Sequence, residues 1–359
     1  MEVIENFDTI FNLKPGIFNF LRKIRGTRDG FYHYSLTGDY FGEKIKWGLG
    51  NAIFFLRIVY ILDLEKSFSS EVVKAIKFIN SFKTVDGYYC DPLVRILSWP
   101  RRLYYFLKSW KKDDYSYYFI KLAETRQVIS TLSLFDIKCD LPNNFFPSEV
   151  SIDWIQKFLN NLDWSKPWGA GSRFSHLLFF LNISDFPQKE TLVNAAIAWL
   201  NSVRQNDGFW YRGQASLQQK INGAMKIFTG LQVVNKINVS DAEKIIDTCL
   251  NAKNDAQACD NFNIIYVLKN CHQLIPSYRQ IEVKDFATER LKIYFKYYHP
   301  SQGGFSFNEK RASYLYYGAP LSRGKNEPDI HGTTMFLLGI SQIAKILKVD
   351  FGVRELDVV

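Results

Sequence analysis

Several polar residues interrupt stretches that are otherwise almost entirely apolar, and their types could do chemistry. Asp329 and His331 stand two apart before an apolar run, where a carboxylate could tune an imidazole as general acid or base. The plainer alternative is a helix cap by Asp329 beside an imidazole bonded to a loop carbonyl. His176 lies in SRFSHLLFF and is a second proton-transfer candidate, or a satisfied core histidine. Lys226, one turn beyond Asn222 in INGAMK, could act as a base if burial lowers its pKa, or could hold an anion as a point charge. Asp260, with Asn261 or Asn263, could coordinate Mg²⁺ carried by substrate phosphates, or could only cap a helix. Arg126, Arg173, Asn51 and Trp47 complete the set of candidate substrate-binding groups. His33, Tyr34 and Asp39 form a further polar aromatic segment, and Asp39 reads equally as a turn or cap residue. Buried charges are costly without partners, so such groups must pair with each other or face a ligand.

These residues need elements to position them, and an internal repeat supplies the elements. A turn containing Gly and aromatic residues recurs as RDGFYHY from Arg28, VDGYY from Val85, KPWGAG from Lys166, NDGFW from Asn206 and QGGFSF from Gln302. The spacing defines a unit of about 50 residues, enough for two helices and two connections. An amphipathic helical pattern precedes most turns, as in KETLVNAAIAWLNSV. A more apolar one follows, as in SRFSHLLFFL or IHGTTMFLLGISQIAKIL. Six such apolar helices are expected. Helices that are apolar all round must be buried, and half-polar helices can cover them. The expected fold is therefore all-α, an (α/α)6 toroid of six helical hairpins with an inner and an outer ring.

One domain over residues 1–359 is expected, with an insertion or lid at 88–121. That segment holds SWPRRLYYFLKSW. The fifth turn, AKNDAQACDNF, is degenerate, lacking Gly and Trp. Asp86 and Asp207 sit in Asp-Gly turns and read as turn geometry. Trp210 and its counterparts are expected to pack between repeats.

Composition narrows the function classes. Apolar residues make up 47% of the chain, which excludes a disordered protein. Thirty Phe, twenty Tyr and eight Trp can fill a core and also line a cavity for an apolar or cationic guest. The net charge of +9 is spread without a run of five or six Lys/Arg, so no nucleic-acid partner is expected. Five scattered cysteines with no CxxC argue against a disulfide scaffold and a zinc ribbon. The acidic start MEVIENFDTI lacks the basic region of a signal peptide. The longest apolar run taken as a candidate span, Ala52 to Leu62, is broken by Arg57. A cytoplasmic location is the expectation.

In AAIAWLNSVRQNDGFW, Gln205, Gly208 and Trp210 match a QxxGxW core. This resembles the QW motif of the squalene cyclase and protein prenyltransferase β-subunit superfamily. EPDIHGTTMFLLGISQIAKI is similar to the prenyltransferase segment that carries a zinc-binding histidine. The resemblance implies the toroid, with a cavity mouth near the N-terminal ends of the inner helices, where free N–H groups favour anions. Two departures qualify it. Asn222 and Ala224 stand where the prenyltransferases carry an Asp and a Cys, so no zinc is expected. No DxDD acid motif occurs either, the run Asp255 to Asp260 having the wrong spacing.

Three functions are compatible. The first is an enzyme acting on an anionic substrate, an isoprenoid (prenyl) diphosphate, in a cyclisation or transfer reaction. Here Asp329, His331 or Asp260 would supply proton chemistry, and Arg126, Arg173 and Lys226 would bind the anion. The second is a carbohydrate-active polysaccharide lyase or glycoside hydrolase on an acidic glycan, with Asp260 and Asp329 as the carboxylate pair of a hydrolase. The third is a non-enzymatic toroid that binds a lipid or partner, with peripheral membrane contact through 88–121.

Overall fold

A computed structural model describes residues 13–100, 103–104, 107, 117–142, 145–147 and 149–356. The described chain is mostly helical, with 13 α-helices and a few two-residue strands. In chain order the helices are α1 (Leu13–Lys23), α2 (Leu49–Ile61), α3 (Ser69–Asn80), α4 (Pro92–Leu97), α5 (Tyr117–Leu132), α6 (Ile152–Asn160) and α7 (Pro167–Asn182). There follow α8 (Lys189–Asn201), α9 (Leu217–Val233), α10 (Ala242–Leu250), α11 (Ala258–Leu274), α12 (Gln280–Phe295) and α13 (Ile330–Leu347).

The apolar set is α2, α5, α7, α9, α11 and α13. Helix α11 buries fourteen of the fifteen positions from Ala258 to His272, all but Cys259, which shows what a helix without a polar face must do. The amphipathic set covers them. Helix α6 buries only Ile155 and Leu159, and α8 only Leu192, Val193, Ala196 and Leu200. Helix α5 packs on α2 and α7, α9 on α7 and α11, and α13 on α11 and again on α2. Among the covering helices, α3 lies on α2, α8 on α6 and α7, α10 on α11, and α12 on α11 and α13.

Glycine decides how closely α7 and α9 approach. A Cβ at Gly223 would meet the Pro167 backbone at 2.8 Å, and one at Gly230 would meet the Ser175 Cα at 2.8 Å. The two contacts advance together along both helices, so α7 and α9 run parallel with backbones nearly touching.

The Gly-aromatic repeat is a real structural unit. Gly30, Gly87, Gly208 and Gly303 all take left-handed backbone, with φ of 77°, 83°, 87° and 84°. Each turn closes a short antiparallel bridge: Arg25 with Tyr32, Lys83 with Tyr89, Arg204 with Trp210, and Tyr298 with Phe305. KPWGAG corrects the expectation, being the first turn of α7. Its Pro167 at the helix start and its closely packed glycines account for the likeness in composition. Trp210 is buried edge-on against Phe228 of α9, as a packing residue would be.

Two β-hairpins intervene before α13. The first pairs β1 (Tyr298–His299) with β2 (Gly304–Phe305), and the second pairs β3 (Leu315–Tyr316) with β4 (Ala319–Pro320). The second turns through Tyr317 and Gly318, with φ of 48° and 83°. Two successive positive φ values are the primed turn that suits a two-residue hairpin. Tyrosine is a strained choice at its first position. Of the 88–121 insertion, α4 is described in full, while residues 101–102, 105–106 and 108–116 lie outside the described set. Helix α4 starts at Pro92 under a cap from Asp91 and packs on β4.

Among the described residues, one helix, α13, is long and apolar enough to cross a membrane by length and composition, and most of it is buried inside the protein. It displaces Ala52–Leu62 as the longest candidate. Its apolar surface is already covered by α2, α11 and α12.

Candidate functional site

Three cationic or imidazole side chains meet at one depth. Arg126, His176 and Lys226 each lie nine residues into their helices (117 to 126, 167 to 176, 217 to 226), and those helices are the neighbours α5, α7 and α9. Helix α5 begins at Tyr117, so the guanidinium sits deep between helices and not at their ends. Ser175 and Thr229 tie the three helices together. Arg126 Nη1 donates to Ser175 Oγ, which is 2.9 Å from Thr229 Oγ1.

The remaining donors of Arg126 are the informative feature. Nε and Nη2 are buried without a hydrogen-bond partner among the described residues, and the residue is 4% exposed. These two atoms form the side-on edge of the guanidinium, which presents two parallel N–H bonds to a carboxylate or phosphate. His176 Nδ1 is likewise buried without a partner. Burial first, then Arg126, Lys226 and Arg173, hold this imidazole well below its usual pKa, so it is neutral.

Arg57 of α2 adds a second guanidinium. It is buried, donating to Thr131 Oγ1 at 2.8 Å and to Ser130 Oγ at 3.2 Å. Among the described residues, Arg57, Arg126 and Lys226 make no ion pair. Burial lowers both arginines to about 10, and they stay charged. Burial, Arg126 and Arg57 together lower Lys226 to about 8. An uncompensated cluster of this kind is a strong field for an anion.

Lys226, Gln127, Cys259, Tyr317 and His331 keep part of their surface open to solvent. Lys226, Cys259, Tyr317 and His331 are also strongly desolvated. These groups are therefore deep in the protein yet not sealed from solvent. The hairpin tip packs beside them: Tyr317 Oη accepts from Gln127 Nε2 at 2.8 Å, and Tyr316 Oη donates to Gln127 Oε1 at 3.3 Å. Gly50 makes room for the Tyr316 ring, since a Cβ there would meet it at 2.8 Å.

His331 stands in an aromatic cage. Its ring stacks on Phe54 at 4.7 Å and packs against Phe307 and Tyr316. Nδ1 is 3.2 Å from Tyr34 Oη. Burial, Arg57 and Lys226 push its pKa down to about 3, so the imidazole is neutral. A neutral imidazole can still donate or accept a hydrogen bond through Nε2, which has no partner among the described residues.

The other candidates are structural. Asp329 caps α13, with Oδ1 accepting from Gly332 N at 2.7 Å and Oδ2 from Phe307 N at 2.7 Å and Ser313 N at 3.0 Å. Burial pushes its carboxyl up to about 7, against the pull of those N–H groups. Its carboxylate meets the His331 backbone N–H and not the ring; Tyr34 takes that place. Asp260 accepts from Asn222 Nδ2 at 2.9 Å and Gln218 Nε2 at 2.8 Å, and Asn222 Oδ1 accepts from Asn263 Nδ2 at 2.9 Å. Among the described residues, no three His, Cys, Asp or Glu side chains converge as a metal site requires.

Trp47 and Asn51, expected among the substrate-binding groups, lie in the core with protein partners. Trp47 Nε1 donates to Gly42 O, and Asn51 Nδ2 to Tyr32 O at 2.8 Å. Arg173 lies over the Phe119 ring at 5.6 Å. Asp39 accepts from the Tyr34 and Ser35 N–H groups and lies 3.1 Å from His33 Nδ1.

Sequence reasoning missed Tyr316, Tyr317, Gln127 and Glu124. Glu124 is fully buried, with Oε2 accepting from Asp91 N and Oε1 unpartnered. Burial and the Asp91 charge hold its carboxyl far above the usual range. Arg57 carried a visible signal, a lone charge within the apolar run of α2. The tyrosines carried none, because only the hairpin brings them inward.

Comparison with protein-family models, curated proteins and solved structures gives no match.

Proposed function

We propose that the helices close as an (α/α)6 toroid and that its enclosed centre is the active site of an enzyme acting on an anionic substrate, an isoprenoid diphosphate. The cyclic order of helix contacts, α2–α5–α7–α9–α11–α13 and back to α2, supports the closure. The likeness of the Gln205–Trp210 turn to the QW motif points the same way.

The observation that carries the substrate reading is the unpartnered side-on edge of Arg126 in a cluster with Arg57 and Lys226. A diphosphate supplies the parallel oxygens and the negative charge that this cluster lacks. Phe54, Phe307, Tyr34 and Tyr316 around His331 give an apolar prenyl chain a place to lie, and their faces suit a developing carbocation. In this reading Arg126 and Lys226 hold the leaving diphosphate, and His331 Nε2 moves the proton. The glycan hydrolase alternative has less support, since Asp260 and Asp329 have their oxygens engaged by protein donors.

The test is incubation of the full chain with geranyl, farnesyl and geranylgeranyl diphosphates, following pyrophosphate release and organic products by mass spectrometry. Release that is lost in Arg126→Met supports the reading. Binding of these compounds without release points to the non-enzymatic lipid-binding alternative, and neither binding nor release overturns the diphosphate assignment.

A further inference from the structure

We propose that Lys226 is an amine nucleophile that forms an imine with an aldehyde or ketone carrying an anionic group, the anion being held by Arg126. This goes beyond the diphosphate reading and does not require it; the two share Arg126 as the anion-holding group and give Lys226 different roles.

The geometry begins with the helix. Lys226 lies on α9 between Met225 and Ile227, both buried, and itself keeps an open portion of surface. Its stem passes Gly171 of α7, where an added Cβ would come within 3.4 Å of the Lys226 Cβ. The ammonium has no carboxylate or carbonyl partner among the described residues. Lysines that serve structure look different here: Lys220 on the same helix is paired to Asp207 at 2.8 Å, and Lys121 to Asp86. An amine left without a counter-ion inside a protein is free to lose its proton and to attack.

The groups facing it from the packed elements are Arg57 of α2, Arg126 of α5, His176 of α7, Cys259 of α11 and His331 of α13. The arginines are positive and both imidazoles are neutral. Burial holds the Cys259 thiol up at about 12, so it too is neutral. Cys259 alone pulls the other way, and as a neutral thiol it gives an ammonium ion no counter-charge. With a pKa of about 8, a substantial fraction of Lys226 is neutral amine near pH 7.5.

The chemistry balances without an oxidant or reductant. The Nζ lone pair bonds to the carbonyl carbon, and the C=O π pair moves to oxygen. A proton passes from nitrogen to oxygen to give the carbinolamine. The C–O bond then breaks, water leaves with the second amine proton, and the nitrogen pair forms C=N. The net change is amine plus carbonyl to imine plus water. Protonation makes the imine an electron sink for breaking a bond next to the former carbonyl carbon. Arg126 would hold the substrate's carboxylate or phosphate through its open edge, beside the amine.

The test uses the full chain with glyoxylate, a small aldehyde bearing a carboxylate, and sodium cyanoborohydride to trap the imine. Peptide mass mapping reads carboxymethylation at each lysine. Lys226 is expected to label at least tenfold faster than exposed Lys310, with a rate that rises through about pH 8. Formaldehyde, an aldehyde without the anion, serves as the control. Arg126→Met, checked for folding by circular dichroism, should remove the glyoxylate preference and leave formaldehyde labelling of Lys226 in place. Labelling of Lys226 by glyoxylate no faster than Lys310 overturns the proposal. So does a glyoxylate preference that persists in Arg126→Met, because the anion is then held elsewhere. Pyrophosphate release is measured separately, so failure of either reading leaves the other standing or falling on its own result.

Discussion

Two polar clusters interrupt the apolar helices, and they are built in opposite ways. Around Asp329, three backbone N–H groups converge on one carboxylate, and every donor has its acceptor. Around Arg126, two N–H groups of one guanidinium, a ring nitrogen of His176 and the ammonium of Lys226 have no hydrogen-bond partner among the described residues. Both clusters lie deep, and both involve charge. Burial alone therefore does not separate the two clusters; satisfaction does. A satisfied buried charge holds α13 to the two hairpins before it. An unsatisfied one costs stability, and a fold keeps it where something outside the chain completes it.

The comparison can be broken by opposite signs in a mutant pair. Asp329→Ala removes the acceptor of three buried donors, and we expect a loss of about 3–5 kcal/mol in chemical denaturation. A loss below ~1 kcal/mol would show that the cap is dispensable. Arg126→Met replaces an unpaired buried charge by an apolar side chain of similar length. It should stabilise the chain by about 2 kcal/mol while abolishing any rise in Tm caused by pyrophosphate. Destabilisation in Arg126→Met would mean that its bond to Ser175 matters more than its open edge.

A smaller effect sharpens the picture through pH. The folded pKa of Lys226 lies below its ordinary value of 10.5, so between about 8 and 10.5 the unfolded chain holds the extra proton. Stability from this group therefore rises with pH across that window, and below it the full cost of the buried charge remains. Lys226→Met should be more stable than the parent by roughly 1–2 kcal/mol at pH 7, with the advantage shrinking towards pH 10.5. Urea melts at several pH values read this directly, and an advantage independent of pH would remove the linkage. The smallest change is Tyr34→Phe, which deletes one hydrogen bond to His331 in a ring cage that otherwise stays intact. It should cost about 1 kcal/mol and move the ¹⁵N shifts of the His331 ring. Unchanged shifts would break the Tyr34–His331 pair as a unit.

Much of this was legible in the residues. Alternating apolar and amphipathic segments predict the helices, because a helix's hydrophobic stripe must be covered. The Gly-aromatic turns are readable since only glycine takes φ near +80° cheaply at Gly30, Gly87, Gly208 and Gly303. Arg126, His176, Lys226 and His331 are also visible as polar interruptions. Their partners are not. Asp329 and His331 are two apart in the chain, yet the ring is held by Tyr34, almost three hundred residues away. KPWGAG has the composition of the repeat turn and the conformation of a helix, because composition does not report which glycines need positive φ.

The sequence by itself determined that this is a helical protein with charged groups set into buried helices, since periodicity and residue type are local properties. Tertiary structure alone decided which of those charges are satisfied. Whether a donor has an acceptor depends on neighbours brought from distant segments: Phe307 and Ser313 to Asp329, Tyr316 and Tyr317 to Gln127, and none of the described residues to the open edge of Arg126.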